Sequence, residues 1–312
     1  MALHARLRGN DTDATDRIVE AAEEVILGKS RPIRLAVACL LARGHLLIED
    51  LPGVGKTTLA LVLAQLFGLE FRRIQFTSDM LPADVVGASI YDRNSGSFSF
   101  HSGPVFSQLV LADEVNRATP KTQSALLEAM EERQVTVEGA TRQLPEPFFV
   151  IATQNPDTQL GTFPLPESQL DRFLMRIHLG YPDRDAEREL LAGRDRRLMI
   201  RSLQPAVTQD ELHSLQQRVD AVHVADALVA YVQAILSHTR NDADLRHGLS
   251  PRAGQALLRA ARAWTLLEGR DAVLPEDVQA VFPAVAGHRL QGREHASHGA
   301  DPEALLANIP IP

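Results

Sequence analysis

The stretch HLLIEDLPGVGKTTLALVLAQLFG, residues 45–68, limits this chain more than any other. It opens with a short apolar run of strand length, passes through a turn punctuated by glycines, and continues apolar at nearly every position. A helix apolar on all sides must be buried, so the segment reads as a strand feeding a helix packed between a sheet and other helices. The turn is close to the pattern G-x-x-x-x-G-K-[ST], with Asp50 where the first glycine normally stands. Such a loop works because successive backbone N–H groups curl around phosphate while the next helix aims its positive end at it. Gly53 and Gly55 supply backbone freedom, Lys56 would reach the β- and γ-phosphates, and the Thr57 hydroxyl would ligate Mg2+. Nucleotide contact is expected across Gly53, Val54, Gly55, Lys56, Thr57 and Thr58. Asp tolerates left-handed backbone better than most residues and is expected to fill the first glycine's place by that route. The competing reading is a tight turn beside an unrelated lysine, and the strand–loop–helix context argues against it.

The rest of the chain repeats the alternation. FRRIQF (71–76), SQLVLADE (107–114), FFVIATQN (148–155) and FLMRIHL (173–179) are further strand candidates separated by helical segments, which predicts an α/β fold with a mostly parallel central sheet. SIYDRNSGSFSFH and RQVTVEGATRQL alternate apolar and polar residues about glycine turns and read as β-hairpins. Residues from about 14 to 43 read as two helices broken near LGKSRP. After GYPDRD the strand signals end and five helical segments follow. A boundary near Pro182 therefore divides the chain into an α/β core (1–181), a small all-helical domain (182–288) and a tail (289–312). The tail carries a short helix, with Asp301 as its cap and Pro302 following.

Charged residues stand where the strands end. LVLADE closes an apolar strand with Asp113, placed to serve a metal, and Glu114, the candidate base that would deprotonate an attacking water. A solvated acidic pair is the bland alternative. Asn155 ends the next strand, within reach of a γ-phosphate or of that water, although asparagine also commonly ends strands. Arg172, just before the last strand, can stabilise transition-state charge from a neighbouring subunit. Its alternative is an ion pair with Asp171 or Glu167. Ser250 and Pro251 predict a helix start that puts Arg252 in the first turn, where a cation is unfavourable beside the helix dipole. That cost hints that Arg252 serves an anion elsewhere, such as a phosphate from the other domain.

Composition excludes other classes. A formal net charge of −8 over 312 residues argues against broad capture of nucleic acid. The one cysteine, Cys39, lies in an apolar run and reads as a small buried hydrophobe. The N-terminal stretch has no apolar h-region, and no apolar run approaches the ~18 residues needed to span a bilayer, so a cytoplasmic location without membrane insertion is expected. Glu294, His295 and His298 have a metal-like spacing but sit among Gly and Ser past the last long helix, and read as solvated tail.

The stretches LADEVNRATPKTQSALLEAMEERQVTV and ATQNPDTQLGTFPLPESQLDRFLMRI resemble the MoxR family of AAA+ ATPases in order and spacing, and the resemblance extends over about residues 15–290. It implies a P-loop NTPase core followed by a helical lid, with ATP and Mg2+ between them. It also implies that Lys56 and Thr57 belong to Walker A, Asp113 and Glu114 to Walker B, and that Asn155 is sensor 1. Arg172 matches the arginine finger, Arg252 the sensor 2 arginine, and Gly28 falls where such proteins hold the adenine. The two hairpins resemble the helix 2 insertion and the pre-sensor hairpin. Family members form homo-oligomeric, typically hexameric rings that remodel protein clients, often with a partner bearing a von Willebrand factor A domain. The alternatives are the motor subunit of a metal chelatase, which shares these hairpins, and a nucleotide-switched scaffold with little turnover.

Overall fold

Two helices open the chain, α1 (Ala2–Val25) and α2 (Ser30–Leu41), the first beginning well before the position expected from the sequence. β1 (Leu46–Glu49) leads through the glycine loop into α3 (Lys56–Leu66), which closes against Gly68 at φ 60°. β2 (Phe71–Gln75) and the short α4 (Pro82–Val86) precede a hairpin of β3 (Gly87–Asp92) and β4 (Ser97–Ser102). Next come β5 (Leu109–Asp113), α5 (Pro120–Glu132), and a second hairpin of β6 (Gln134–Val137) and β7 (Ala140–Gln143). β8 (Phe149–Gln154), the four-residue α6 (Glu167–Leu170) and β9 (Met175–Ile177) complete this half. The computed structural model describes residues 2–94, 96–155, 161–193, 196–293, 301–307 and 309–311, with backbone alone for 2–13 and Arg197.

Beyond β9 every named element is a helix: α7 (Arg184–Ala192), α8 (Arg196–Ser202), α9 (Gln209–Ala221), α10 (Asp226–Asn241), α11 (Pro251–Leu267), α12 (Pro275–Ala286) and α13 (Pro302–Ala307). Their starts follow local chemistry. Asp183 accepts the Ala186 N–H at 2.8 Å, Thr208 and Glu211 form a reciprocal capping box, and Ser250 accepts the Ala253 N–H at 3.1 Å with Pro251 behind it. The expected α/β core with a helical lid is the architecture observed.

Five strands form one parallel sheet in the order β2-β5-β8-β1-β9. Successive residues along a strand face opposite sides, and this splits the core in two. Leu46, Ile48, Leu109, Leu111, Phe149 and Ile151 face a cluster that takes in α1, α2, α3 and the lid helices. Leu47, Val110, Ala112, Val150 and Ala152 face a second cluster with Leu126, Leu127 and Met130 of α5. The interior strand β5 is buried throughout, whereas the edge strand β2 buries Ile74 and exposes Arg72, Arg73 and Gln75. The lid is tied to the N-terminal helices by more than apolar contact. Arg34 of α2 stacks 5.4 Å from the Trp264 ring and pairs with Glu268 at 2.6 Å. Helix α13 packs on α12 and adds Leu305 to the first cluster, so this short helix docks on its own chain.

Cys39 is fully buried in the first cluster, and burial pushes its thiol pKa up. His45, just before β1, is also buried. Its Nε2 lies 3.1 Å from the Met130 carbonyl, and its Nδ1 accepts the Val150 N–H at 3.0 Å, so the ring is neutral with its proton on Nε2. Burial pulls its pKa down to about 4. No helix among the described residues is long and apolar enough to cross a membrane. Glu294, His295 and His298 lie outside the described residues.

Candidate nucleotide site

The C-terminal ends of β1, β5 and β8 meet in one cleft of about 310 Å³, lined by Pro52, Gly53, Gly55, Lys56, Thr57, Thr58, Asp113, Glu114 and Asn155. Ligands of open parallel sheets bind at this edge, where the connection from β1 runs one way, to β2, and that from its neighbour β8 the other, to β9. Gly53 and Gly55 have φ of 86° and 100°, which L side chains rarely adopt, and a Cβ on either would project into open space. The loop is therefore a cradle whose backbone faces the cleft. The Lys56 ammonium donates to the Asp50 carbonyl and, at 2.8 Å, to Asn155 Oδ1. Burial pulls its pKa down, while the carboxylates of Asp50, Asp113 and Glu114 oppose that shift. A buried cation held by two neutral acceptors fits a phosphate.

Asp113 and Glu114 are held differently. Thr153 donates its hydroxyl to Asp113 Oδ1 at 2.5 Å, and Arg73 reaches Oδ2 at 2.6 and 3.2 Å. Glu114 sits at φ 55°, a left-handed conformation uncommon for a non-glycine residue, with its N–H on the Thr153 hydroxyl at 2.9 Å. Its carboxylate accepts from Arg117 at 2.8 Å, Gln75 at 3.0 Å and Asn155 at 3.5 Å. Arg73, Gln75, Arg117 and Thr153 were not singled out from the sequence. The period-two spacing of Arg73 and Gln75 on β2, in register with β5, was the available signal. The hydroxyl of Thr57 and the carboxylate of Asp113, oxygen donors of the kind a divalent cation takes, line the same cleft.

Asp50 departs from its expected role. It is absent from the residues at positive φ, so it does not reproduce a glycine backbone. Its side chain is used instead: Oδ1 accepts the Leu51 N–H at 2.9 Å, and Oδ2 accepts those of Leu179 and Gly180 at 2.6 Å each.

The two arginines lie apart from this lining. Arg172, Arg252, Arg259 and Arg289 share a second cleft of about 260 Å³ with Asp171. Glu131, at the end of α5, bridges Arg172 at 2.9 Å and Arg252 at 3.0 Å. Arg172 thus pairs with neither Asp171 nor Glu167. Asp171 instead receives Arg289 at 2.6 Å and Arg252 at 3.7 Å. Gly28 does not line the loop cleft either; at φ 66° it packs against Asp183 and Ala186, 3.1 and 3.0 Å from where its Cβ would stand.

The sequence agrees with what the geometry suggests. A family model described as "ATPase family associated with various cellular activities (AAA)" matches residues 45–175, and one described as "AAA lid domain" matches residues 237–309. Chaperone MoxR1 of Mycobacterium tuberculosis is 40% identical over 88% of this chain and 75% of its own length. The chain belongs to the MoxR family of AAA+ ATPases. The YeaC protein of Bacillus subtilis, whose name assigns no function, is 45% identical over 94% of this chain and 92% of its own. A crystal structure of a Cytophaga hutchinsonii protein assigned as an ATPase superposes with a TM-score of 0.89 at 35% identity, covering 100% of this chain and 99% of that one. The sheet, the lid and the loop cleft are thus those of a MoxR-type AAA+ protein, a family that binds nucleotide and is generally oligomeric.

Proposed function

We propose that this MoxR-family protein binds ATP with Mg2+, hydrolyses it, and uses the cycle to remodel or mature protein complexes as a ring of identical subunits. The observation that carries the reading is the meeting of Lys56, Thr57, Asp113, Glu114 and Asn155 at three adjacent strand ends. Lys56 takes the β- and γ-phosphates, exchanging two neutral acceptors for charged ones. Thr57 and Asp113 would hold the magnesium, which when bound neutralises phosphate charge. Glu114 accepts the proton of the attacking water once Arg117 and Gln75 release its carboxylate, and Asn155 orients that water from beside Lys56. The proposed division is a nucleotide core to residue 181, a lid from 182 to 288 and a tail that completes the lid's packing.

Arg172 and Arg252 act together in this reading, on the nucleotide of a neighbouring subunit. They share one cleft and one counter-ion, and the loop cleft of their own chain is lined without them. Their ion pairs to Glu131 are partly exposed and therefore weak, so a phosphate can displace the carboxylate. A cytoplasmic setting, a hexameric ring and a partner with a von Willebrand factor A domain complete the proposal by family analogy. MoxR1 carries the name chaperone, which supports a protein client.

The test is steady-state ATP hydrolysis across protein concentration, with Glu114→Gln and Arg172→Ala. Turnover per subunit should rise with concentration. Each variant alone should be nearly inactive, and mixing the two should restore part of the activity, since one supplies the arginine and the other the base. A fully active monomer at every concentration would remove the ring from the proposal. Tight ATP binding without turnover would leave the nucleotide-switched scaffold.

A further inference from the structure

Asp50 has two kinds of contact that a glycine could not combine. Through its backbone carbonyl it accepts from Lys56, the lysine read above as the phosphate ligand. Through its buried carboxylate it accepts the N–H groups of Leu179 and Gly180 at 2.6 Å each, short charge-assisted bonds. Those two residues follow β9 and begin the segment that carries the helical lid. Gly180 has φ 63°, a conformation that lets the chain turn there.

The same segment is gripped at each neighbouring position. His178 Nδ1 lies 2.6 Å from the Glu49 carbonyl. Lys29 donates its ammonium to the Tyr181 carbonyl. Gly28 lies close enough to Asp183 and Ala186 that an added Cβ would stand 3.1 and 3.0 Å from them. Residues 178–183 are therefore held on one side by the end of β1 and the phosphate loop, and on the other by the turn between α1 and α2.

We propose that Asp50 is a positioning residue that couples the phosphate loop to the lid linker, and that this is why the loop carries aspartate in place of its first glycine. The inference rests on the ATP reading above. Phosphate oxygens compete with the Asp50 carbonyl for the Lys56 ammonium and carry more charge, so they draw the lysine away. The Asp50 peptide is then free to reorient, and the carboxylate passes that change to Leu179 and Gly180. A nucleotide arriving at one end of β1 is thereby felt at the lid hinge through a single side chain.

The experiment compares the natural chain with Asp50→Asn, which keeps the size but loses the double acceptor, and Asp50→Gly, which restores the common loop pattern. Binding of a fluorescent ADP analogue, steady-state ATP turnover, and hydrogen exchange at residues 177–183 with and without that analogue are measured on each. The natural chain should show exchange at Leu179 and Gly180 that changes on nucleotide binding. Both variants should lose that response and fall in kcat by about tenfold, within the usual range of coupling between sites, while the analogue's affinity moves less than about threefold. Unchanged kcat with the linker still responding would overturn the proposal and leave Asp50 a bare substitute for glycine. Loss of nucleotide affinity in parallel with kcat would overturn it in favour of simple loop support. If the natural chain binds no analogue, the ATP reading itself fails, and the coupling with it.

Discussion

The loop cleft and the arginine cleft hold their cations in opposite ways. In the first, Lys56 rests on a backbone carbonyl and an amide oxygen, and the nearby carboxylates are each held by other donors. In the second, Arg172 and Arg252 share one carboxylate, Glu131, and Arg289 is locked on Asp171. A cation on neutral acceptors keeps its charge available to an incoming anion. A cation on a carboxylate is neutralised until something stronger arrives. In the proposed reading, the first cleft serves binding within one chain and the second a contact made and broken between chains.

Substitutions can break this contrast, and the largest effect should come from the second cleft. Arg172→Ala should lower kcat by a factor on the order of 10³, as an arginine supplied in trans does, with affinity for ADP within about threefold. Lys56→Ala should do the reverse, weakening nucleotide binding roughly a hundredfold, about the ~3 kcal/mol of a strong charge-assisted contact. Titration calorimetry with ADP beside steady-state turnover separates the two. If both variants lose affinity equally, the clefts are not distinct in role.

Acid gives a further test, because two neutral histidines are buried in the core, one at the far end of the sheet from the loop cleft and one beside the arginine cleft. His45 braces the start of β8, at the end of the sheet opposite the loop cleft, and His288 meets the Phe173 carbonyl at 3.1 Å next to Arg289 of the arginine cleft. Burial lowers both pKa values, that of His45 to about 4. The folded state keeps these rings neutral while the unfolded chain takes up protons below about pH 6.5. Stability from both is therefore complete above pH 6.5 and is lost as pH falls below it, for His45 down to about 4. Urea unfolding at pH 7, 6 and 5 should show stability falling with pH, the slope contributed by His45 approaching ~1.4 kcal/mol per pH unit below pH 6.5. A flat profile would show that the rings are solvated.

The smallest effect is expected at Glu131. A carboxylate in the last turn of α5 is already unfavourable with the helix dipole, so Glu131→Gln should fold normally. Freed arginines should then raise turnover at low protein concentration by about two- to fivefold, the value of a weak exposed pair. Unchanged turnover would mean that Glu131 does not compete with phosphate.

Much of the first cleft was legible in the sequence, and little of the second was. Gly53, Gly55, Lys56 and Thr57 are contiguous, and Asp113, Glu114 and Asn155 close apolar runs, so strand ends could be read as one edge. Glu131, Asp171, Arg252 and Arg289 come together from helices and turns far apart along the chain, with no periodicity linking them. At Asp50 the pattern points to the residue but not to its role. The pattern showed a missing glycine and suggested a backbone explanation, whereas its partners, Leu179 and Gly180, are amides some 130 residues away. FLMRIHL yielded only the three residues of β9.

Cys39 carries a practical consequence. It is the chain's one cysteine, fully buried, and its thiolate is suppressed by its surroundings. A cysteine placed at exposed Leu191 on α7 or exposed Phe98 on the first hairpin would be the thiol that a maleimide dye finds in the native protein, with no background to remove. Left alone, Cys39 becomes a clock: its slow labelling counts the moments when the whole first cluster comes apart.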